Sequence, residues 1–142
     1  MPRAILVPYD GSPQAADALE HALREYPGAD VTVLHVIDPT DTGYSGGPML
    51  PDFSEQWYES AKEAAEEIFA EAQERAADHK GALHTARELG RPAREIINYA
   101  DDADVDHIVI GSHGRAGVTR IVLGSVAEDV ARRAPIPVTI VR

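Results

Sequence analysis

The sequence predicts a single α/β domain, residues 1–142, built on a five-stranded, mainly parallel sheet with helices on both faces. Short apolar runs of strand length alternate with longer stretches whose apolar residues recur at helical spacing. Helices between successive strands imply crossover connections, and these join parallel strands. A chain of 142 residues is long enough to bury one core, and no internal repeat or linker divides it.

The first three elements form a strand, a helix and a second strand. The apolar run 4–7 ends in a turn cluster, where Ser12 is placed to cap a helix and Pro13 to occupy its first position. That helix has one apolar face, formed by Ala15, Ala16, Leu19, Ala22, Leu23 and Tyr26. Residues 31–37 then predict a β-branched strand that is apolar on both faces, as expected of a central parallel strand.

The rest of the chain continues this alternation. Residues 38–52 are rich in glycine and proline and predict a long loop. The helix that follows has an apolar side made of Ala61, Ala64, Ala65, Ile68, Ala72 and Ala76. In chain order, the predicted elements after the loop are a helix over 54–78, a strand over 82–89, a helix from Pro92, a strand over 105–110, a helix over 126–133 and a strand over 138–141.

The charge balance restricts the class of partner. Acidic residues number 24 against 13 basic ones, the net charge is −11, and only Lys62 and Lys80 are lysines. An acidic, lysine-poor surface is typical of a halophilic protein, because a high-salt cytoplasm screens the repulsion between its negative charges. An ordinary acidic bacterial protein is the alternative. Either way the negative field disfavours nucleic acids and anionic membranes. Without cysteine, and without an apolar run of membrane-spanning length, we expect a cytoplasmic protein that lacks disulfides.

The stretch 111–125 carries the strongest functional pattern. It is glycine-rich, leaves a predicted strand and ends where a helix starts, and such backbone binds anions. Ser125 and Glu128 have the spacing of a capping box, which predicts a helix N-terminus at this point. Residues 107–127 contain no Asp or Glu, whereas Arg115 and Arg120 are present. The alternative explanation of this acid-free window is that part of it is buried.

The common nucleotide fingerprints are absent, but a different one is present. We find neither the Gly-x4-Gly-Lys-Ser/Thr phosphate loop nor the Gly-x-Gly-x2-Gly dinucleotide turn. Instead Gly111, Gly114, Gly124 and Ser125 form the pattern Gly-x2-Gly-x9-Gly-Ser. With the blocks 7–12 (VPYDGS), 34–37 (LHVI) and 137–141 (PVTIV), the chain strongly resembles the ATP-binding branch of the universal stress proteins. The resemblance implies their Rossmann-like fold, similar to the adenine nucleotide alpha hydrolases, with strand order 3-2-1-4-5.

The resemblance also implies a set of nucleotide-binding residues. Asp10 would accept hydrogen bonds from the ribose hydroxyls, or would simply help to cap the first helix. Val36 would contact adenine through its main chain, or would simply be a core residue of its strand. Pro8 would shape the adenine wall, or would simply end its strand. Gly111 and Gly114 would line ribose and phosphates. Phosphates would be bound by the main-chain amides of Gly124, Ser125 and Val126 and by the Ser125 hydroxyl. The full set is Pro8, Asp10, Val36, Gly111, His113, Gly114, Arg115, Gly124, Ser125 and Val126.

Cofactor and partner expectations follow from the same resemblance. The ligand would be ATP, with Mg²⁺ or Mn²⁺ bridging the phosphates because a triphosphate beside Asp10 brings like charges together. The strand 138–141 is short, apolar and at a sheet edge, which favours a homodimer through that strand. The histidines His21, His35, His79, His84 and His107 lack metal-ligand spacing, so we interpret them as core or solvated residues.

Three function classes remain in competition. The first is a regulatory or stress-protective protein in which ATP biases conformation, dimerisation or partner choice. The second is a slow ATP hydrolase, and it lacks a general base recognisable in the sequence. The third is a dimerising structural module without nucleotide, and the intact glycines and Ser125 disfavour it. Nucleotide binding is the function that the sequence favours, with at most weak ATPase activity.

Overall fold

A computed structural model describes residues 3–39, 55–112 and 124–142 of the chain. Its strands are β1 (Ala4–Pro8), β2 (Asp30–Ile37), β3 (Leu83–Leu89), β4 (His107–Gly111) and β5 (Val138–Val141). They form one sheet in the order β3-β2-β1-β4-β5, in which every neighbouring pair is parallel. The predicted fold class and strand order are confirmed.

Two helices cover each face of the sheet. Helices α1 (Pro13–Glu25) and α2 (Glu55–Arg75) pack on one face, and α3 (Pro92–Asp102) and α4 (Ser125–Arg133) pack on the other. The strand residues alternate between the two cores, as the pleat requires. Val7 and Val33 face α1 and α2, whereas Leu6 and Leu34 face α3 and α4. The central strands are therefore apolar on both faces, as their sequence predicts.

The direction of the chain reverses between β1 and β4. From β1 the chain proceeds through α1, β2 and α2 to the β3 edge, and from β4 it proceeds through α4 to the β5 edge. Right-handed crossovers put helices on opposite faces when the chain moves in opposite directions across the sheet. The chain therefore leads from β1 and from β4 to helices on opposite faces, α1 and α4, and sheets of this kind have a crevice at the carboxyl ends of two such strands. This is the switch point at which open parallel sheets bind ligands.

Two predicted elements differ in detail from the observed ones. The predicted helix 54–78 is observed as Glu55–Arg75. Its buried side includes Phe69, whereas Ala64 and Ile68 are only half-buried. The predicted strand 105–110 is observed as His107–Gly111. None of the four described helices combines the length and the apolar character needed to cross a bilayer.

Candidate functional site

Backbone hydrogen bonds tie the end of β4 to β5 and the start of α4 to the end of β4. After β4, the Ser112 N–H donates to the Val141 carbonyl at 3.0 Å, so the chain stays level with the end of β5. The Ser112 carbonyl in turn accepts a hydrogen bond from the Gly124 N–H at 2.5 Å. This contact anchors the start of α4 directly to the end of β4. The N-terminus of α4 is thereby held at the carboxyl edge of the sheet.

The turn after β1 is organised by Asp10 and Ser12. Asp10 Oδ1 accepts a hydrogen bond from the Ser12 N–H at 2.9 Å, and Ser12 Oγ accepts one from the Ala15 N–H at 3.1 Å. Gly11 between them has φ +82°, a left-handed conformation that favours glycine. The predicted cap of α1 by Ser12, with Pro13 at the first helical position, is confirmed. Asp10 does help to organise this cap, but the bond uses only one of its two carboxylate oxygens.

A polar network fixes the same turn against α2. The Tyr9 hydroxyl donates to Glu71 Oε1 at 2.7 Å, and Glu71 lies 3.7 Å from the Arg75 guanidinium, which also pairs with Glu20 of α1. Burial, and then the hydrogen bond to Glu71, raise the pKa of the Tyr9 hydroxyl above its usual range. Tyr9 therefore remains a protonated donor at every physiological pH. The turn that carries Asp10 is held on both sides, by α1 and by α2.

The β1–β2 ladder ends before strand β2 does. Its last paired residues are Pro8 and Leu34, and a last hydrogen bond runs from the Tyr9 N–H to the Leu34 carbonyl at 2.8 Å. In a parallel ladder, alternate residues direct both N–H and C=O toward the same neighbour. Leu34 directs both groups toward β1, so Val36 directs both toward the space beyond the end of β1. Within the described residues, no backbone group pairs with Val36 on this side.

A buried histidine occupies the position where the ladder stops. The His35 ring Nδ1 lies 2.9 Å from the Tyr9 carbonyl oxygen. Because a carbonyl only accepts, Nδ1 is the ring atom that carries the hydrogen. His35 is 1% exposed, and its ring meets Phe69 edge-to-face with the centroids 6.4 Å apart. His35 is therefore a core residue, one of the two alternatives that its sequence left open, and its ring lies at the end of β1.

Gly111 has a structural reason to be glycine. A Cβ added to Gly111 would lie 2.6 Å from the Gln14 carbonyl oxygen and 2.8 Å from the Gln14 carbonyl carbon. These atoms belong to the backbone of the first turn of α1, which passes directly over the end of β4. The absent side chain therefore permits the close approach of a helix. This reason holds whether or not a ligand contacts Gly111.

The predicted capping box at Ser125 is wrong. Gly124 is the N-cap residue of α4, Ser125 is the first helical residue, and no side chain caps this end. The bond from the Gly124 N–H to Ser112 fixes Gly124 in an extended conformation just before the helix, so the cap falls one residue earlier than predicted. Glu128 pairs with Arg132 at 2.9 Å instead of reaching back to the helix start.

This cap position determines which amides are available at the site. The Glu128 N–H makes the first intrahelical bond, to the Gly124 carbonyl at 2.9 Å. The N–H groups of Ser125, Val126 and Ala127 therefore have no intrahelical acceptor, as in every α-helix. The positive end of the helix dipole lies at the same position. This arrangement can accept an anion.

The other predicted site residues fall into two groups. Pro8 is buried at the end of β1, and Val36 is half-buried near the end of β2. His113, Gly114 and Arg115, like residues 40–52 of the predicted loop, lie outside the described residues. Within the ranges 3–39, 55–112 and 124–142, no three His, Asp or Glu side chains come together as metal ligands would.

Comparison with known proteins places the chain in a family. The universal stress protein family matches residues 1–142. Universal stress protein YxiE of Bacillus subtilis is 34% identical over 144 residues, which cover 97% of each chain. The solved structure of MJ0577, a universal stress protein of Methanocaldococcus jannaschii, has a TM-score of 0.83 and 30% identity, over 98% of this chain and 94% of that one. A universal stress protein from Archaeoglobus fulgidus, solved in complex with dAMP, has a TM-score of 0.67 and 25% identity, over 98% of this chain and 97% of that one. The chain described here belongs to the universal stress protein family.

Proposed function

We propose that this protein binds ATP in the crevice between β1 and β4 and acts as a regulatory, stress-protective homodimer. One observation carries the proposal: the Val36 N–H and C=O are directed toward the space beyond the end of β1, where the β1–β2 ladder has stopped. Adenine offers an N–H donor on its amino group next to a ring-nitrogen acceptor. One residue that presents a donor and an acceptor together matches that edge. The dAMP complex of the Archaeoglobus fulgidus relative supports an adenine nucleotide as the ligand class.

In this proposal the remaining groups bind ribose and phosphates. The Asp10 oxygen that does not cap α1 accepts from the ribose hydroxyls, and Pro8 bounds the adenine. The Ser125 and Val126 amides, joined by that of Ala127, bind phosphate oxygens at the N-terminus of α4. The Gly124 amide, expected to bind phosphate as well, is not available for this role because its N–H donates to the Ser112 carbonyl. We assign Gly111, His113, Gly114 and Arg115 to the same loop on the basis of the family resemblance alone.

A divalent cation would bind at this site together with the nucleotide. Because the described residues contain no cluster of metal ligands, Mg²⁺ or Mn²⁺ would be held mainly by phosphate oxygens, with the Asp10 carboxylate after β1 as a candidate further ligand. Once bound, the cation would neutralise phosphate charge in a protein whose net charge is −11. A chelator is expected to weaken ATP binding by this protein without unfolding it.

We propose binding rather than turnover as the function of the site. The side chains in the first turn of α4 are those of Ser125, Val126 and Ala127, none of which is a general base. Glu128, the first acidic residue of the helix, is paired with Arg132. Phosphate release measured during an ATP-binding experiment should show no repeated turnover. Repeated turnover would instead favour the slow ATP hydrolase.

The first experiment identifies the nucleotide. The protein is purified under native conditions and denatured, and the released small molecules are separated by chromatography, with Gly114→Val prepared in parallel. ATP released from the wild type and not from Gly114→Val supports the proposal. If no nucleotide is released and no ATP binds in high salt with magnesium, the nucleotide-free structural dimer becomes the better account.

A second experiment tests the role of Asp10 in the same site. Asp10→Asn keeps an oxygen for the Ser12 N–H and removes the charge, so it is a better-matched change than alanine. Hydrogen bonds to charged groups contribute about 1.5–3 kcal/mol, so we expect ATP affinity to fall roughly 10- to 100-fold. The affinity for 2′,3′-dideoxy-ATP, which lacks the diol, should differ little between Asp10→Asn and the wild type. An equal loss for both nucleotides would show that Asp10 does not contact the ribose.

We further propose that the homodimer forms through β5. The Ile108 N–H donates to the Pro137 carbonyl, and the Ser112 N–H donates to the Val141 carbonyl. The backbone groups of alternate residues of β5 are therefore directed toward β4, and Ile140, which lies between two such residues, directs its N–H and C=O away from the sheet. Ile140→Pro removes an outward donor without breaking the β4–β5 ladder, and should give a monomer by sedimentation. Thr85→Pro makes the matched change at the β3 edge and should leave the dimer intact. If Ile140→Pro has an unchanged dimer mass, this interface is wrong.

A further inference from the structure

The Tyr9 carbonyl accepts its hydrogen bond from an unusual donor. A parallel ladder that continued past the Tyr9 N–H to Leu34 bond would next join the Val36 N–H to the Tyr9 carbonyl. The chain geometry would permit this step, because β2 extends to Ile37 and remains paired with β3 up to that residue. Instead the carbonyl is bonded by His35 Nδ1 at 2.9 Å.

Both partners of this hydrogen bond are held rigidly. The His35 ring is 1% exposed and stands edge-to-face against Phe69 of α2. The Tyr9 side chain is 2% exposed, and its hydroxyl is bonded to Glu71 of the same helix at 2.7 Å. Helix α2 thus fixes the donor and the acceptor together. These side chains fix the Tyr9 carbonyl in addition to the sheet bond that the Tyr9 N–H makes to Leu34.

We propose that His35 is a positioning residue that ends the β1–β2 ladder and thereby keeps the Val36 N–H and C=O available to a nucleobase. The ring takes the acceptor that the Val36 amide would otherwise use. Without this ring, β1 would pair with β2 for one more step, and the Val36 N–H would donate to the Tyr9 carbonyl instead of remaining available to a ligand. The effect on the ladder is a property of the protein alone, and only its use for adenine rests on the proposed ATP binding.

The proposal has a consequence for base selectivity. Hypoxanthine, the base of ITP, carries a carbonyl oxygen where adenine has its amino group and an N–H where adenine has its ring-nitrogen acceptor, so its donor and acceptor are exchanged relative to adenine. A rigid pair formed by the Val36 N–H and C=O would therefore bind ATP in preference to ITP. Leaving a buried polar group unpaired is costly, so the preference is expected to be on the order of tenfold or more.

Side-chain substitutions separate the hydrogen bond from the packing of the ring. Asn places an amide nitrogen close to the position of histidine Nδ1, whereas Gln places it near Nε2 and Leu has no donor. His35→Asn should retain the bond to the Tyr9 carbonyl, and His35→Leu and His35→Gln should lose it. All three remove the contact of an aromatic ring with Phe69, so a purely structural role would affect them alike. If His35→Leu does not fold, the Asn and Gln variants provide the same comparison.

Amide hydrogen exchange of the nucleotide-free protein is the first test. The Val36 amide should exchange faster than that of Leu34 in the wild type and in His35→Asn. In His35→Leu and His35→Gln, its exchange should slow by tenfold or more, because the Tyr9 carbonyl becomes its acceptor. Unchanged Val36 exchange in both of these variants would overturn the proposal, whatever the protein binds.

The ratio of ATP to ITP affinity is the second test. The wild type and His35→Asn should prefer ATP, and the ratio should fall toward one in His35→Leu and His35→Gln. If the wild type binds neither nucleotide, the proposed ATP site is wrong, and the exchange measurement still decides the role of His35. If the wild type prefers ATP and all variants keep that ratio, the positioning role is wrong while ATP binding stands.

Discussion

Gly111→Ala separates two reasons why a glycine occupies the start of the Gly-x2-Gly-x9-Gly-Ser pattern. The added Cβ would lie 2.6 Å from the Gln14 carbonyl oxygen and 3.0 Å from the Gln14 Cβ. Atoms in ordinary contact are about 3.5–4.0 Å apart, so the first turn of α1 must recede by roughly half an ångström or more. That turn contains the Ser12 cap and is followed by Ala15 and Ala18, which are buried against the sheet. The clash therefore involves backbone that cannot rotate away.

The expected loss of stability is at the upper end of the usual range for overpacking. We expect about 2–3 kcal/mol, which for a chain of this size lowers the Tm by roughly 5–10 °C. The assay is urea and thermal unfolding of the nucleotide-free protein, because the clash does not need a ligand. Gly28→Ala is the control: it has open space but φ +93°, so it should cost only about 1–2 kcal/mol through backbone strain. A loss below about 0.5 kcal/mol for Gly111→Ala would refute the packing argument.

The remaining predictions concern hydrogen bonds and pH. Tyr9→Phe removes the bond to Glu71 and should destabilise the protein by about 1–3 kcal/mol in urea unfolding; an unchanged midpoint would contradict the role of this network. Burial, and then the charge of His21, lower the pKa of His107 in the folded protein. As the pH falls, this histidine is therefore protonated in the unfolded chain before it is protonated in the folded protein, and stability should decrease below about pH 6.5. His107→Gln should flatten that pH profile, and an equally steep profile would exclude His107 as its cause. Hydrogen bonds from the backbone N–H groups of residues 3 and 4 lower the pKa of Asp106. Asp106→Asn should therefore be less stable than the wild type at neutral pH, and this difference in stability should disappear as acid protonates the wild-type carboxylate. A stability difference that does not depend on pH would contradict this.

The architecture could be predicted from the sequence because its signals are local. The run 31–37 places Val, Leu and Ile side chains on both of its faces, which is expected of a strand buried on both faces. Ser12 followed by Pro13 marks the start of α1 through side-chain and ring chemistry that depends on no distant residue. The alternation of strands and helices then restricts the topology to a parallel sheet.

The details of the site depended on contacts that no local pattern contains. Ser125 and Glu128 have capping-box spacing, yet the cap falls on Gly124 because its amide is bound by Ser112. Gly111 suggests a phosphate loop, yet its missing Cβ is explained by the passage of α1 over β4, an approach that depends on the tertiary fold.

His35 shows what a sequence signal at the site would look like. It is a polar residue among Val, Leu and Ile in the run 33–37, and a polar residue buried there requires a hydrogen-bond partner in the core. The partner, the Tyr9 carbonyl, lies 26 residues away in the sequence. The sequence could therefore indicate that His35 needs a partner but could not identify it. The register of β1 against β2, which the sequence does not show, determines that His35 lies next to the Tyr9 carbonyl.

A titration of ¹⁵N-labelled protein with MgATP, followed by amide chemical shifts, tests the central claim most directly. ATP binding at the switch point predicts that the largest changes fall on Asp10, Val36 and the amides of Ser125, Val126 and Ala127, all at the carboxyl edge of the sheet. Residues at the amino edge, such as Asp30 and His107, should change little. Saturable changes centred on that opposite edge, or no saturable change at all, would contradict the assignment of the crevice between β1 and β4 as the nucleotide site.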